Sequence, residues 1–150
     1  MKKKLLLLLL ILVIVIGVWL LYPTEERKLK SDIRTLKNAV ENESVDSVVR
    51  YIDIQYHDNN NSTHDKIIDA ITRFFAEVDS ISVQMRGLKV SIDSTSGENV
   101  VFASCSLGVR VIARYEGERV LAFGGIVKPS TVKARFRKTD GIYKIYHAEY

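Results

Sequence analysis

Between Val101 and Tyr115 the chain alternates with a period of two. Val101, Ala103, Cys105, Leu107, Val109, Val111, Ala113 and Tyr115 are apolar or aromatic, and Phe102, Ser104, Ser106, Gly108, Arg110, Ile112 and Arg114 stand between them. Successive side chains of a strand point to opposite faces, so this stretch reads as one long strand with a core face and a mixed face. The stretch before it carries Ile81, Val83 and Met85, then Gly87, then Leu88, Val90 and Ile92. The apolar register slips by one residue across Arg86–Gly87, which predicts a β-bulge. Ser94 to Asn99 and Glu116 to Arg119 read as turns. A third strand starts at Val120, meets Gly124-Gly125 and Pro129, and resumes with Val132, Ala134 and Phe136. Proline cannot donate to a ladder, so Pro129 marks a bulge, an edge or a break. Lys138-Thr139-Asp140-Gly141 is a turn before the last strand, Ile142 to Tyr150. That strand is expected to set Ile142, Tyr146, Ala148 and Tyr150 on one face and Tyr143, Ile145 and His147 on the other. Four long antiparallel strands with glycines and a bulge predict a strongly curved sheet.

The residues before the sheet read as helices. Thr24 can cap a helix whose first turn holds Glu25 and Glu26, and Leu29, Ile33, Leu36 and Val40 form its apolar stripe. Ser44 starts a short second helix with Val45, Val48, Val49 and Ile52. Asp53 to Asn61 is polar and reads as a turn-rich loop. Ser62, with Asp65 three residues on, starts a third helix carrying Ile67, Ile68, Ile71, Phe74, Phe75 and Val78. The fold class is therefore α+β, with three helices laid on one face of a four-stranded sheet.

The N-terminus is of another kind. Lys2-Lys3-Lys4 precede an uninterrupted apolar run from Leu5 to Tyr22, with Trp19 and Tyr22 at its far end. At about 1.5 Å per residue the run spans most of a ~30 Å hydrocarbon core. A cleaved signal peptide would need a small-x-small site, and Val18-Trp19-Leu20-Leu21-Tyr22-Pro23 offers none. The expectation is a retained anchor over residues 1–23, with the three lysines on the cytoplasmic side. A single domain, 24–150, would then stand on the extracytoplasmic side. Without Lys2, Lys3 and Lys4 the chain has 19 basic residues against 18 acidic ones. The basic pI thus comes mostly from the anchor's flank, and nucleic acid is not an expected partner. Lys128, Lys133, Arg135, Arg137 and Lys138 remain as a basic cluster. It reads as a solvated face, or as a surface for anionic headgroups or an acidic partner. Cys105, the lone cysteine, reads as core packing.

Several local features point the same way. They are the long first helix, the short second one, the Tyr56-His57-Asp58 loop, the Ile67-to-Phe75 helix and the Asp140-Gly141-Ile142-Tyr143-Lys144-Ile145 hairpin. In this pattern residues 25–150 resemble the nuclear transport factor 2-like superfamily, which includes polyketide-cyclase-like and ketosteroid-isomerase-like proteins. The resemblance implies a cone, with a pocket between the helices and the concave sheet. It also implies homodimers through the outer sheet face, where Phe102, Ile112 and Tyr143 are expected. Related enzymes carry an acid or a histidine in the pocket, so Asp53, His57, Asp58 and His147 are the catalytic candidates here. His57, His64 and His147 show no metal-ligand spacing, and no cofactor motif is present. The layout of one span and then a cone also resembles the inner-membrane scaffold protein of type IV secretion. The expected function is membrane-tethered binding or assembly, with a protein partner and without catalysis. The alternative is a small-molecule binder or enzyme of the polyketide-cyclase-like kind.

Overall fold

The computed structural model describes residues 9–17, 24–95 and 100–150. The described part of the apolar run is a helix, α1, over residues 9–17, with Leu9 to Ile16 exposed. Among the described residues no helix is long and apolar enough to cross a membrane. The rest of the expected span, residues 5–8 and 18–22, lies outside the described residues. So do Lys2 to Lys4 and the tip of the first sheet turn, residues 96–99.

Helix α2 (Glu25–Glu41) begins as expected. The Thr24 hydroxyl accepts from the Arg27 N–H at 3.3 Å, and Glu25 and Glu26 sit against the positive end of the helix dipole. Leu29 and Ile33 are buried on its stripe, while Leu36 and Val40 are partly buried. Helix α3 (Val45–Val49) follows Ser44, whose hydroxyl donates to Ser47 at 2.7 Å and leaves the helix end uncapped. Helix α4 (His64–Glu77) starts after Thr63, one residue later than Ser62 suggested, with no side-chain cap. Asp65 accepts from or faces His64 Nδ1 at 3.0 Å instead. Ile67, Ile68, Ile71 and Phe75 pack around Val48, Ile52 and Tyr56.

The sheet has six strands where four were expected. They are β1 (Ile52–Asp58), β2 (Asp79–Thr95), β3 (Val101–Tyr115), β4 (Glu118–Phe123), β5 (Ser130–Thr139) and β6 (Ile142–Glu149), in the order β1-β6-β5-β3-β2. All pairings are antiparallel except β1 with β6, which is parallel. Two causes add the strands. First, the expected third strand breaks at Gly124 to Pro129. Its halves share one edge of β3: β5 pairs with Phe102–Val109 and β4 with Val111–Tyr115. Gly124 has φ +91°, and a Cβ there would lie 2.6 Å from the Val109 carbonyl oxygen, so the break needs a glycine. Second, part of the stretch read as a loop is β1. It is an edge strand, paired only to β6, and its register is irregular between Ile52 and His57. That irregularity erases the period of two.

Three local expectations hold. Gly87 has φ +63° inside the register shift between Arg86 and Lys89, the site of the predicted bulge. Glu116–Gly117 and Asp140–Gly141 are two-residue turns with every φ positive, the type I′ geometry that suits strand twist. The expected core face of β3 is the core: Ala103, Cys105 and Leu107 are buried with Leu29, Ile33 and Phe136.

On β6 the faces differ from expectation. The register shifts between the pairs Arg135–His147 and Phe136–Ile145, leaving Tyr146 as an extra residue. Tyr143 and Ile145 therefore pack inward before the bulge, and Ala148 after it. Tyr146 packs edge-on to Phe102 at 6.1 Å on the outer face. Tyr143 is fully buried and belongs to no outer surface.

Candidate functional site

The pocket between α2 and the inner sheet face has a volume of about 220 Å³. Aliphatic side chains dominate its walls, among them Ile33, Leu36, Val40, Leu107, Val109 and Ile145, together with Met85 and Phe136. Its one charged lining residue is Lys37, whose Nζ is held 2.6 Å from Glu41 Oε2. Cys105 also lines it, but burial pushes that thiol up to about 11, so it is no thiolate nucleophile at neutral pH. Asp53, His57, Asp58 and His147 are absent from its lining.

Those four candidates lie on β1 and β6. Asp53 is 2% exposed on β1 and is clamped by Arg137 of β5. Arg137 Nη2 donates to Oδ1 at 2.6 Å and to Oδ2 at 2.8 Å, and Nε donates to Oδ2 at 3.1 Å. The Gln55 N–H adds a bond at 2.9 Å. Asp58 closes the Asn59–Ser62 turn, accepting from the N–H groups of Asn60 at 2.9 Å and Ser62 at 2.8 Å. Its other oxygen accepts from the Tyr150 hydroxyl at 2.7 Å. Burial pushes the Asp58 carboxyl up, but the bonds from Ser62, Tyr150 and Asn60 outweigh it and hold the group below the usual carboxylate range. A carboxylate so satisfied is a poor general base.

The structure brings His57 and His147 together, which their positions in the sequence did not reveal. Their rings lie 4.6 Å apart across the β1–β6 pair. His147 Nδ1 lies 3.2 Å from the His57 carbonyl oxygen, and Nε2 lies 3.3 Å from Glu149 Oε1. The β6 bulge puts His147 on the outer face, beside Arg135, and not in the cone. Among the described residues no three His, Cys, Asp or Glu side chains are placed to hold a metal ion.

A larger groove, about 410 Å³, lies on the outer face. Ser91, Ser104 and Ser106 line it together with Lys89, Lys133, Arg135, His147 and Glu149. Two cross-strand rows supply these residues. Ser91 pairs with Ser104, Ser104 with Arg135, and Arg135 with His147. In the next row Lys89 pairs with Ser106, Ser106 with Lys133, and Lys133 with Glu149. The sequence signals for this groove were Ser104 and Ser106 on the mixed face of β3 and Lys133 and Arg135 of the basic cluster. The expected basic cluster is divided by the sheet. Arg137 is clamped by Asp53, and Lys138 turns to the helix side, where it meets Glu25 at 2.8 Å.

Glu25, Glu41 and Asp58 are all held below the usual carboxylate range. Glu25 is lowered by hydrogen bonds from Lys138 and then Tyr143, against burial. At Glu41 burial acts upward, and Lys37 and the Val83 N–H outweigh it. Their unfolded values are about 4.3 for Glu and 3.9 for Asp. A depressed folded value gives stability that is present above the unfolded value and is lost as pH falls through the folded one. The thermal midpoint of the full chain in detergent is therefore expected to hold from pH 7 to about 5 and to fall below about 4.5. Asp58→Asn should flatten part of that fall. An undiminished midpoint at about pH 3 would contradict this assignment.

No protein-family model and no curated protein matches the sequence. Solved structures do. A proposed dehydratase of the NTF2-like family from Streptomyces avermitilis aligns with a TM-score of 0.62 at 13% identity, covering 85% of this chain and 96% of that one. A proposed scytalone dehydratase from Novosphingobium aromaticivorans aligns with a TM-score of 0.61 at 14% identity, covering 83% and 81%. The helical cell shape determining protein Pgp2 of Campylobacter jejuni aligns with a TM-score of 0.59 at 12% identity, over 80% of this chain. The chain spans only 39% of the length of Pgp2. At these identities the likeness is one of fold, and the described domain has the α+β fold with a curved sheet seen in nuclear transport factor 2-like proteins.

Proposed function

We propose that this chain is a membrane-tethered binding or assembly domain with no reaction of its own. Residues 5–22 form the anchor, Lys2 to Lys4 stay on the cytoplasmic side, and residues 24–150 stand on the extracytoplasmic side. The outer sheet face meets the partner. The observation that carries this reading is the cone pocket, which is small and apolar, with its one lysine tied to Glu41. No carboxylate or imidazole among the described residues reaches into it to hold or move a proton. A second copy of the chain is a weaker partner than an acidic one. A two-fold pairing across the groove would set Lys89, Lys133 and Arg135 against the same residues. The cell-shape role of Pgp2 sets this fold within a longer protein, in keeping with an assembly role.

The second reading is a small-molecule binder, favoured by the apolar character of the same pocket. Two measurements separate the readings. The full chain should stay with the membrane pellet through alkaline carbonate extraction, and its release would overturn the tether. A thermal-shift screen of apolar ring compounds on the full chain in detergent should give no stabilisation. A ligand whose shift disappears in Val109→Phe would move the domain to the second reading.

A further inference from the structure

Four cations of this domain are matched by carboxylates. Lys28 meets Asp32 at 2.6 Å, Lys37 meets Glu41 at 2.6 Å, Arg137 meets Asp53 at 2.6 Å, and Lys138 meets Glu25 at 2.8 Å. The outer groove gathers three others into one lining. Among the described residues Lys89, Lys133 and Arg135 meet no carboxylate. Lys133 and Arg135 are two residues apart on β5, about 7 Å. Lys89 and Lys133 flank Ser106 from the two neighbouring strands, about 10 Å apart at ~4.8 Å per strand. Like charges so placed repel, and an anion between them would offset that.

The floor of the groove suits the same guest. Small side chains at Ser91, Ser104 and Ser106 leave the space, and the long cations make its walls. The Ser104 hydroxyl donates to Asp93 at 3.0 Å, and Glu149, the one acid in the lining, faces His147. Neither acid reaches the lysines or Arg135. The Ser91 and Ser106 hydroxyls, beside a guanidinium and two ammonium groups, are donors arranged for a group with several acceptor oxygens.

We infer that the outer groove is a binding site for a phosphate group, held by Lys89, Lys133 and Arg135 over the serine floor. The inference rests on the binding reading only in treating the outer face as the interaction face. The phosphate can belong to a lipid headgroup or to a soluble phosphate ester.

The test is calorimetric titration of the full chain in a neutral detergent at constant ionic strength. The probes are inorganic phosphate, glycerol 3-phosphate and dihexanoylphosphatidylglycerol, with chloride as the blank. All three are expected to bind, and Lys133→Gln with Arg135→Gln should weaken each by at least about tenfold. Lys89→Gln should act in the same direction. Arg114→Gln, outside the groove, should change nothing. A phosphatidylglycerol affinity about tenfold above that of glycerol 3-phosphate assigns the site to a lipid headgroup, and equal affinities assign it to a soluble ester. No heat above the blank, or equal binding by wild type and the double variant, overturns the site. These substitutions relieve repulsion, so the variants should melt no lower than wild type. Carbonate extraction tests the tether separately, so loss of the phosphate site leaves that reading standing.

Discussion

Tyr143→Ala is expected to destabilise the domain by about 4 kcal/mol, and Tyr143→Phe by about 1 kcal/mol. The ring is fully buried among Leu29, Ile33, Val101 and Phe136, so its removal leaves a cavity in the larger core cluster. Aromatic-to-alanine changes at such positions cost about 3–5 kcal/mol. The hydroxyl is a smaller matter. It donates to Glu25 at 2.6 Å, but Glu25 is also held by Lys138 at 2.8 and 2.9 Å and keeps that partner in the phenylalanine variant. The Tyr143 N–H bond to Asp32 at 3.0 Å is a backbone bond and survives both changes. Thermal melting of the full chain in detergent checks this. At about 3 °C per kcal/mol the alanine variant should melt roughly 12 °C lower and the phenylalanine variant roughly 3 °C lower. Equal losses would mean that the hydroxyl network, and not ring packing, holds this corner.

The same residue shows where the sequence could be read and where it could not. Alternation on β3 set its core face correctly, because the extra residues at its register shifts all fall on β2 or β4, so the period of two along β3 itself is unbroken. The slip at Arg86–Gly87 was legible because a glycine marked it. The bulge at Tyr146 has no glycine, and apolar or aromatic residues stand on both sides of it, so parity assigned Tyr143 to the wrong face. β1 was hidden for a related reason. Its inward apolar side chains, Ile52 and Tyr56, are four residues apart and Ile54 between them is exposed, so no period of two shows. The candidate acids were legible as polar residues near a rim. Their partners, Arg137 and Tyr150, are 84 and 92 residues away in the chain, and no local pattern connects them.

Arg137→Met is expected to cost more than Asp53→Asn, about 4 against about 2 kcal/mol, although both break one ion pair. The asymmetry follows from exposure. The Asp53 side chain is 3% exposed, whereas that of Arg137 is 28% exposed. Without its partner the guanidinium can turn to water and keep its bond to Gln55 Oε1, now 3.1 Å. The carboxylate has no such exit. It is left with the Gln55 N–H alone, an uncompensated charge in a site that the strand pairing holds closed. The pair also ties the edge strand β1 across β6 to β5, so its loss should loosen the edge before the core. Replacing both residues, Asp53→Asn with Arg137→Met, removes the buried charge and should recover all but about 1 kcal/mol. A double-mutant cycle read by thermal melting, with amide exchange on β1, decides the matter. Additive losses, or an Asp53→Asn loss larger than that of Arg137→Met, would show that the pair is not what fastens β1 to the sheet.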